Sequence, residues 1–240
     1  YNRVSGKGPG LVFLCGHGSD KEGSKALFLE AWAKSNGQAF LRFDYSGHGR
    51  SDGLFLKTNV TDWTCDAITV LDNLTEGPQI LVGSSLGGWI MLNVAVNRPN
   101  RVAALVGIAA APDFTEDLIW QPLDANSRSA FIADGQIAME NPYSSDPVIY
   151  PYHLIEDGRR HLRLRGPLPI TQPVRLLHGL RDTEVPWQTA VTLANCLESG
   201  DVSLHFDKTG THRFSELAQL QSLQAVVEQL MNQIKCGPSN

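Results

Sequence analysis

Short apolar runs alternate along most of the chain with longer runs whose apolar residues recur at helical spacing. Residues 11–15, 39–43, 79–82, 102–109, 174–177 and 202–206 are brief and nearly continuous in hydrophobic character, the pattern of strands buried on both faces. Between them, residues 25–34 place Ala26, Leu29 and Ala33 on one helical face. Residues 61–74 do the same with Trp63, Ala67, Val70 and Leu74. Further helices are expected over 86–96, near 187–196, and near 216–234, where Leu217, Leu220, Leu223, Val227 and Leu230 form a stripe. This alternation predicts the α/β class: a mostly parallel sheet flanked by helices and joined by right-handed crossovers.

One stretch breaks the rhythm. Residues 110–173 contain no clear strand, but they are rich in proline and in aromatics such as Phe114, Trp120, Phe131, Tyr143, Tyr150 and Tyr152. A structureless loop of that length is foreign to a compact domain. The pattern therefore predicts a core made of residues 1–112 and 169–240, with an inserted, mostly helical lid over 113–168.

Composition narrows the chemistry. The 240 residues suit one α/β domain or two small ones, and 42% of them are hydrophobic. A net charge of −5 excludes an overall basic surface for nucleic acid. The four cysteines, Cys15, Cys65, Cys196 and Cys236, form no C-x-x-C pair and no metal-ligand spacing with histidine. They read as reduced thiols of an intracellular, cytoplasmic protein. The first residue is Tyr1, and removal of a targeting segment before it would make the mitochondrial matrix the alternative. No apolar run has transmembrane length.

Gly83-Ser84-Ser85-Leu86-Gly87 lies between a predicted strand and a predicted helix. In that context G-x-S-x-G is a nucleophile elbow, with Ser85 exposed on a tight turn at a helix N-terminus. Ser84 lacks the flanking glycine pattern. A serine hydroxyl needs a base, and the base needs an orienting acid. Both follow in the order Ser, Asp, His. Asp182 stands in His178-Gly179-Leu180-Arg181-Asp182, just past one strand, and His212 follows the last strand in Gly210-Thr211-His212, opening the final helix. The backbone N–H groups of Leu86 and His17 are the candidate oxyanion hole, with Gly16 and Gly18 letting that loop come close.

Other residues compete for these roles. Asp113 follows the preceding strand and is the alternative acid. His178 reads as a packed histidine, Glu184 as solvated or a local hydrogen-bond partner, and Asp44 as a turn-stabilising carboxylate. In the predicted lid, Phe114, Trp120 and Phe131 are candidates to cover an acyl group. Arg159, Arg160, Arg163 and Arg165 read either as surface charge or as a clamp for an anionic substrate group. Residues 18–25 resemble a P-loop, but Ser and Lys stand in the wrong order. Gly47, Gly49 and Gly53 miss the dinucleotide spacing by one residue. Nothing in the sequence asks for a metal or an organic cofactor.

Three stretches, residues 41–47, 77–89 and 174–179, resemble the α/β-hydrolases that include mitochondrial palmitoyl-protein thioesterase, also called mycophenolic acid acyl-glucuronide esterase, and its bacterial relatives. The resemblance extends over nearly the full length. It implies a serine hydrolase acting on small-molecule thioesters or activated oxygen esters, with Ser85, Asp182 and His212 as the triad. A peptidase or C–C bond hydrolase on the same scaffold, and a binding protein without activity, are the competing readings.

Overall fold

The computed structural model describes residues 1–235, so Cys236 lies outside the described residues. The chain begins with β1 (Asn2–Val4) and β2 (Lys7–Leu14), followed by α1 (Ser24–Ser35) and β3 (Gln38–Arg42). Then come α2 (Val60–Leu74), β4 (Gln79–Ser84), α3 (Leu86–Asn97) and β5 (Val102–Ile108). The insert holds a short π-helix (Thr115–Trp120), α4 (Ala125–Asp134), β6 (Gln136–Met139), β7 (Val148–Pro151) and α5 (Tyr152–Gly158). The core resumes with β8 (Val174–Gly179), α6 (Gln188–Cys196), β9 (Val202–Asp207) and α7 (Leu217–Lys235).

Seven strands form one sheet in the order β1-β3-β2-β4-β5-β8-β9. All its pairings are parallel except that of β1, a short antiparallel edge strand that the hydrophobic pattern does not reveal. Every residue of β4 and β8 is buried, as expected for strands covered on both faces. Helix α2 packs on α3, and α1 on α7. The α2 N-terminus carries a reciprocal cap between Asn59 and Asp62, with bonds of 3.0 and 3.1 Å.

The insert adds one feature to the expected helices: β6 and β7 pair as an antiparallel hairpin. The strands are four residues each and only partly buried, too short for a period-two pattern to stand out. Pro142 and Pro147 in their connection rule out helix there. The insert is tied to the core at its base. Asp113 is fully buried and accepts the N–H groups of Arg163 and Leu164 at 2.6 and 2.8 Å. Asp157 accepts from the backbone and hydroxyl of Thr61, and the Trp89 indole donates to the His161 carbonyl at 2.8 Å.

Candidate active site

The elbow arises where β4 meets α3. Ser85 has φ +53°, a left-handed conformation that a serine adopts only under constraint. The neighbours supply the constraint. Ser85 N donates to Ile108 O at 2.9 Å, and Ala111 N donates to Ser85 O at 3.1 Å. A Cβ on Gly83 would lie 2.4 Å from the Gly87 carbonyl oxygen, and one on Gly87 only 2.1 Å from that of Leu14. Both positions therefore require glycine for the strand and helix to cross this closely.

Three connections at the carboxyl edge of the sheet bring the polar groups together. His212 Nε2 lies 3.0 Å from Ser85 Oγ, and His212 Nδ1 lies 2.8 Å from Asp182 Oδ2. His212 does not open α7, as expected from sequence. It sits in the preceding loop, five residues ahead of Leu217, because Thr211-His212-Arg213-Phe214 turns tightly and Phe214 has φ +45°. Asp182 has a fully buried side chain. Its Oδ1 accepts the N–H groups of Glu184 and Val185, both at 2.9 Å. Burial alone would raise the carboxyl pKa, but hydrogen bonds from His178 and His212 outweigh it and hold the group well below the usual carboxylate range.

His178 is more than a packed residue. It is buried, and its Nε2 lies 3.1 Å from Asp182 Oδ2 and 2.9 Å from the Val185 carbonyl. Two acceptors facing one nitrogen assign the proton to Nε2. Asp113, the alternative acid, is engaged at the base of the insert instead. Asp44 is the turn stabiliser expected, accepting from Lys21 N and Arg50 N at 2.7 and 3.1 Å and pairing with Lys21 Nζ.

Leu86 is the first residue of α3, so its N–H has no acceptor within the helix. The loop carrying His17 passes beside it: a Cβ on Gly16 would stand 3.4 Å from Ser85 Cβ. The His17 ring stacks on Tyr150 at 5.2 Å and contacts Phe55 at 4.7 Å and Phe114 at 5.8 Å. Burial lowers its pKa to about 3, with His48 adding to the effect, so the imidazole is neutral near pH 7.

Ser85 and His212 open on a cleft of about 910 Å³. His17, Phe55, Phe114, Ile119, Met139 and Tyr150 supply its apolar wall. Phe114 is among the lining residues. Trp120 and Phe131 are not: they do not line this cleft but pack on each other and on Tyr152, with centroid distances of 5.5 to 6.1 Å. These aromatics extend the main hydrophobic core into the insert, with Phe131 buried and Trp120 and Tyr152 partly covered. Phe55, Met139 and Tyr150 were missed as wall residues. Nothing local marks them, since they meet only when the hairpin folds over the sheet.

The four arginines also fall outside the cleft. Arg159 Nε pairs with Glu116 at 2.8 Å and its guanidinium covers the Trp120 ring, while Arg163 Nε donates to Asn93 Oδ1 at 2.7 Å. Arg165 pairs with Asp117, and exposed Arg160 sits 3.8 Å from Asp157. Carboxylates and an amide already engage these cations, so the anion-clamp reading fails.

Comparison with known proteins agrees with this architecture. A model of the alpha/beta hydrolase family matches residues 11–229. The mitochondrial palmitoyl-protein thioesterase ABHD10 of Mus musculus is 41% identical over 237 residues, covering 98% of this chain and 79% of that protein. The solved structure of alpha/beta hydrolase domain-containing protein 10 from mouse superposes with a TM-score of 0.91 at 40% identity, over 97% of this chain and 93% of that one. A putative hydrolase from Agrobacterium vitis S4 gives the same TM-score at 35% identity, over 95% and 91% of the two chains. The chain belongs to the α/β-hydrolase family of enzymes.

Proposed function

We propose that the chain hydrolyses thioesters or oxygen esters of apolar carboxylic acids through an acyl-enzyme on Ser85. The observation that carries this reading is the continuous hydrogen-bonded chain from Asp182 through His212 to Ser85 Oγ, at the mouth of an apolar cleft. In this mechanism His212 takes the Ser85 proton as the hydroxyl attacks the acyl carbon, then returns it to the leaving thiolate or alkoxide. Asp182 holds the imidazole in the tautomer with Nδ1–H and stabilises the imidazolium. His17 and Leu86 N–H groups receive the developing oxyanion. Water then releases the acid in a second half-reaction.

The ester and thioester class is supported by the relatives named palmitoyl-protein thioesterase. The insert, as a lid, contributes Phe114, Met139 and Tyr150 to the acyl side. The mitochondrial naming of those relatives favours the organelle over the cytoplasm for this chain as well.

The test is labelling with a fluorophosphonate probe together with turnover of acyl-CoA and p-nitrophenyl esters. Ser85→Ala is expected to abolish both while keeping the fold, and Ser84→Ala to retain both. Loss of a triad member costs on the order of 10⁴–10⁶ in rate. Labelling that persists in Ser85→Ala overturns the assignment.

A further inference from the structure

Glu184 approaches His212 from the side opposite Asp182. Its Oε2 lies 3.9 Å from His212 Nε2, the same nitrogen that faces Ser85 Oγ at 3.0 Å. Its Oε1 accepts the Tyr143 hydroxyl, and the Arg213 guanidinium sits 3.9 Å above the Tyr143 ring. Tyr143 comes from the β6–β7 connection and Arg213 from the His212 loop. The carboxylate is thus held by both the insert and the core, with its second oxygen turned toward the imidazole. Glu184, Tyr143, Ser85 and His212 all line the one cleft.

We infer that Glu184 orients the water that hydrolyses the acyl-enzyme. The inference rests on the acyl-enzyme proposed above. Two acceptors 3.9 Å apart fall within the span that one water bridges with two hydrogen bonds of about 2.8 Å. One hydrogen of that water points to His212 Nε2 and the other to Glu184 Oε2. The oxygen lone pair is left free to face the carbonyl carbon on Ser85.

The step balances without any further reagent. The water oxygen forms a bond to the acyl carbon, its first proton passes to Nε2, and the carbonyl π pair moves onto the oxyanion. On collapse the bond between the carbon and Ser85 Oγ breaks, Nε2 returns the proton to Oγ, and a carboxylic acid leaves. Glu184 keeps its protonation state throughout; it fixes the second hydrogen and so the direction of attack. It is a positioning residue for water, not a base.

Acylation forms the same imidazolium but uses no water. Comparing the two half-reactions therefore separates water positioning from general support of His212. An aryl carbamate serves as the probe: p-nitrophenol release reports carbamoylation of Ser85, and recovery of esterase activity after dilution reports hydrolysis of the carbamoyl-enzyme. Glu184→Ala is expected to slow recovery by about tenfold, the worth of one lost hydrogen bond to a charged group, and to slow carbamoylation by no more than about twofold. Tyr143→Phe keeps the carboxylate and removes its anchor, so it is expected to slow recovery by a smaller factor in the same selective way. It also carries the test if Glu184→Ala fails to fold. Equal slowing of both half-reactions, or recovery at the wild-type rate, overturns the inference. A wild-type enzyme that is never carbamoylated at Ser85 instead strikes the acyl-enzyme reading.

Discussion

The buried Asp182 carboxylate, behind His212, gathers several partners at once. It accepts two backbone N–H groups and faces two histidines, and its depressed pKa follows from that crowding rather than from exposure to solvent. Under the proposed mechanism, Asp182→Asn presents an amide N–H to one histidine or the other and favours the wrong His212 tautomer. The expected loss in kcat is roughly 10⁴, measured on any ester the enzyme turns over. His178→Phe keeps the ring volume but removes the second donor. It should cost about 1.5–3 kcal/mol, read as a drop in kcat together with a lower Tm. The sign of the pH dependence follows from the direction of the shift. A carboxyl held below its unfolded value of about 3.9 contributes stability that is fully present above that pH and lost as pH falls toward the folded value. Melting curves of wild type and Asp182→Asn should accordingly converge as the pH is lowered below about 4. A gap that widens there contradicts the hydrogen-bonding pattern.

At the level of elements, the insert is closed at its base by Asp113. The residue is fully buried with φ +60°, and it closes the insert by binding the backbone of Arg163 and Leu164. Asp113→Ala leaves those two N–H groups without their acceptor, at about 1–3 kcal/mol. The expected result is a lower Tm and faster limited proteolysis within 136–165, with turnover reduced far less than in Asp182→Asn. Loss of turnover equal to that of Asp182→Asn would put the acid at 113 after all. The same comparison shows what a sequence can and cannot carry. The elbow, the acid loop and the histidine loop were legible because each follows a strand whose hydrophobic run is unmistakable, and their chain order matches the roles proposed for them. The hairpin β6–β7 was hidden because its strands are short and half exposed, so neither period nor burial writes a pattern there. Trp120 and Phe131 misled for a related reason: an aromatic in an insert satisfies the same composition whether it lines a cleft or packs into the core. Apart from the Arg160–Asp157 pair three residues away, the arginines 159–165 have partners drawn from 93, 113, 116 and 117, contacts that no local window contains.

For the molecule as a whole, substrate choice depends on how sheet and insert enclose the cleft. The space of about 910 Å³ has an apolar wall contributed by the loop after β2, the turn at Phe55, the start of the insert and the hairpin. Each methylene that enters such a wall transfers about 0.8 kcal/mol of apolar surface out of water, a factor of roughly four in kcat/KM. Across a series of straight-chain acyl thioesters, kcat/KM should rise by about that factor per carbon and then level off where the chain has filled the cleft. The wall residues set that length. Met139→Trp takes up part of the cleft and should move the plateau to shorter chains, whereas Tyr150→Ala should weaken binding of all chains that reach it, since His17 loses its stacking partner too. Trp120→Ala offers the contrast. It packs on Phe131 and Tyr152 away from the cleft and is only partly buried, so it should lower Tm, at a cost below the about 3–5 kcal/mol of a fully buried aromatic, and leave the position of the plateau where it was. Because Arg159, Arg160, Arg163 and Arg165 lie outside the cleft, their single alanine variants should leave KM for an acyl-CoA and for a neutral ester of the same acyl chain in constant ratio. A plateau that shifts with Trp120 but ignores Met139 would mean that the chain takes another route through the insert, and the cleft described here would lose its claim to the acyl group.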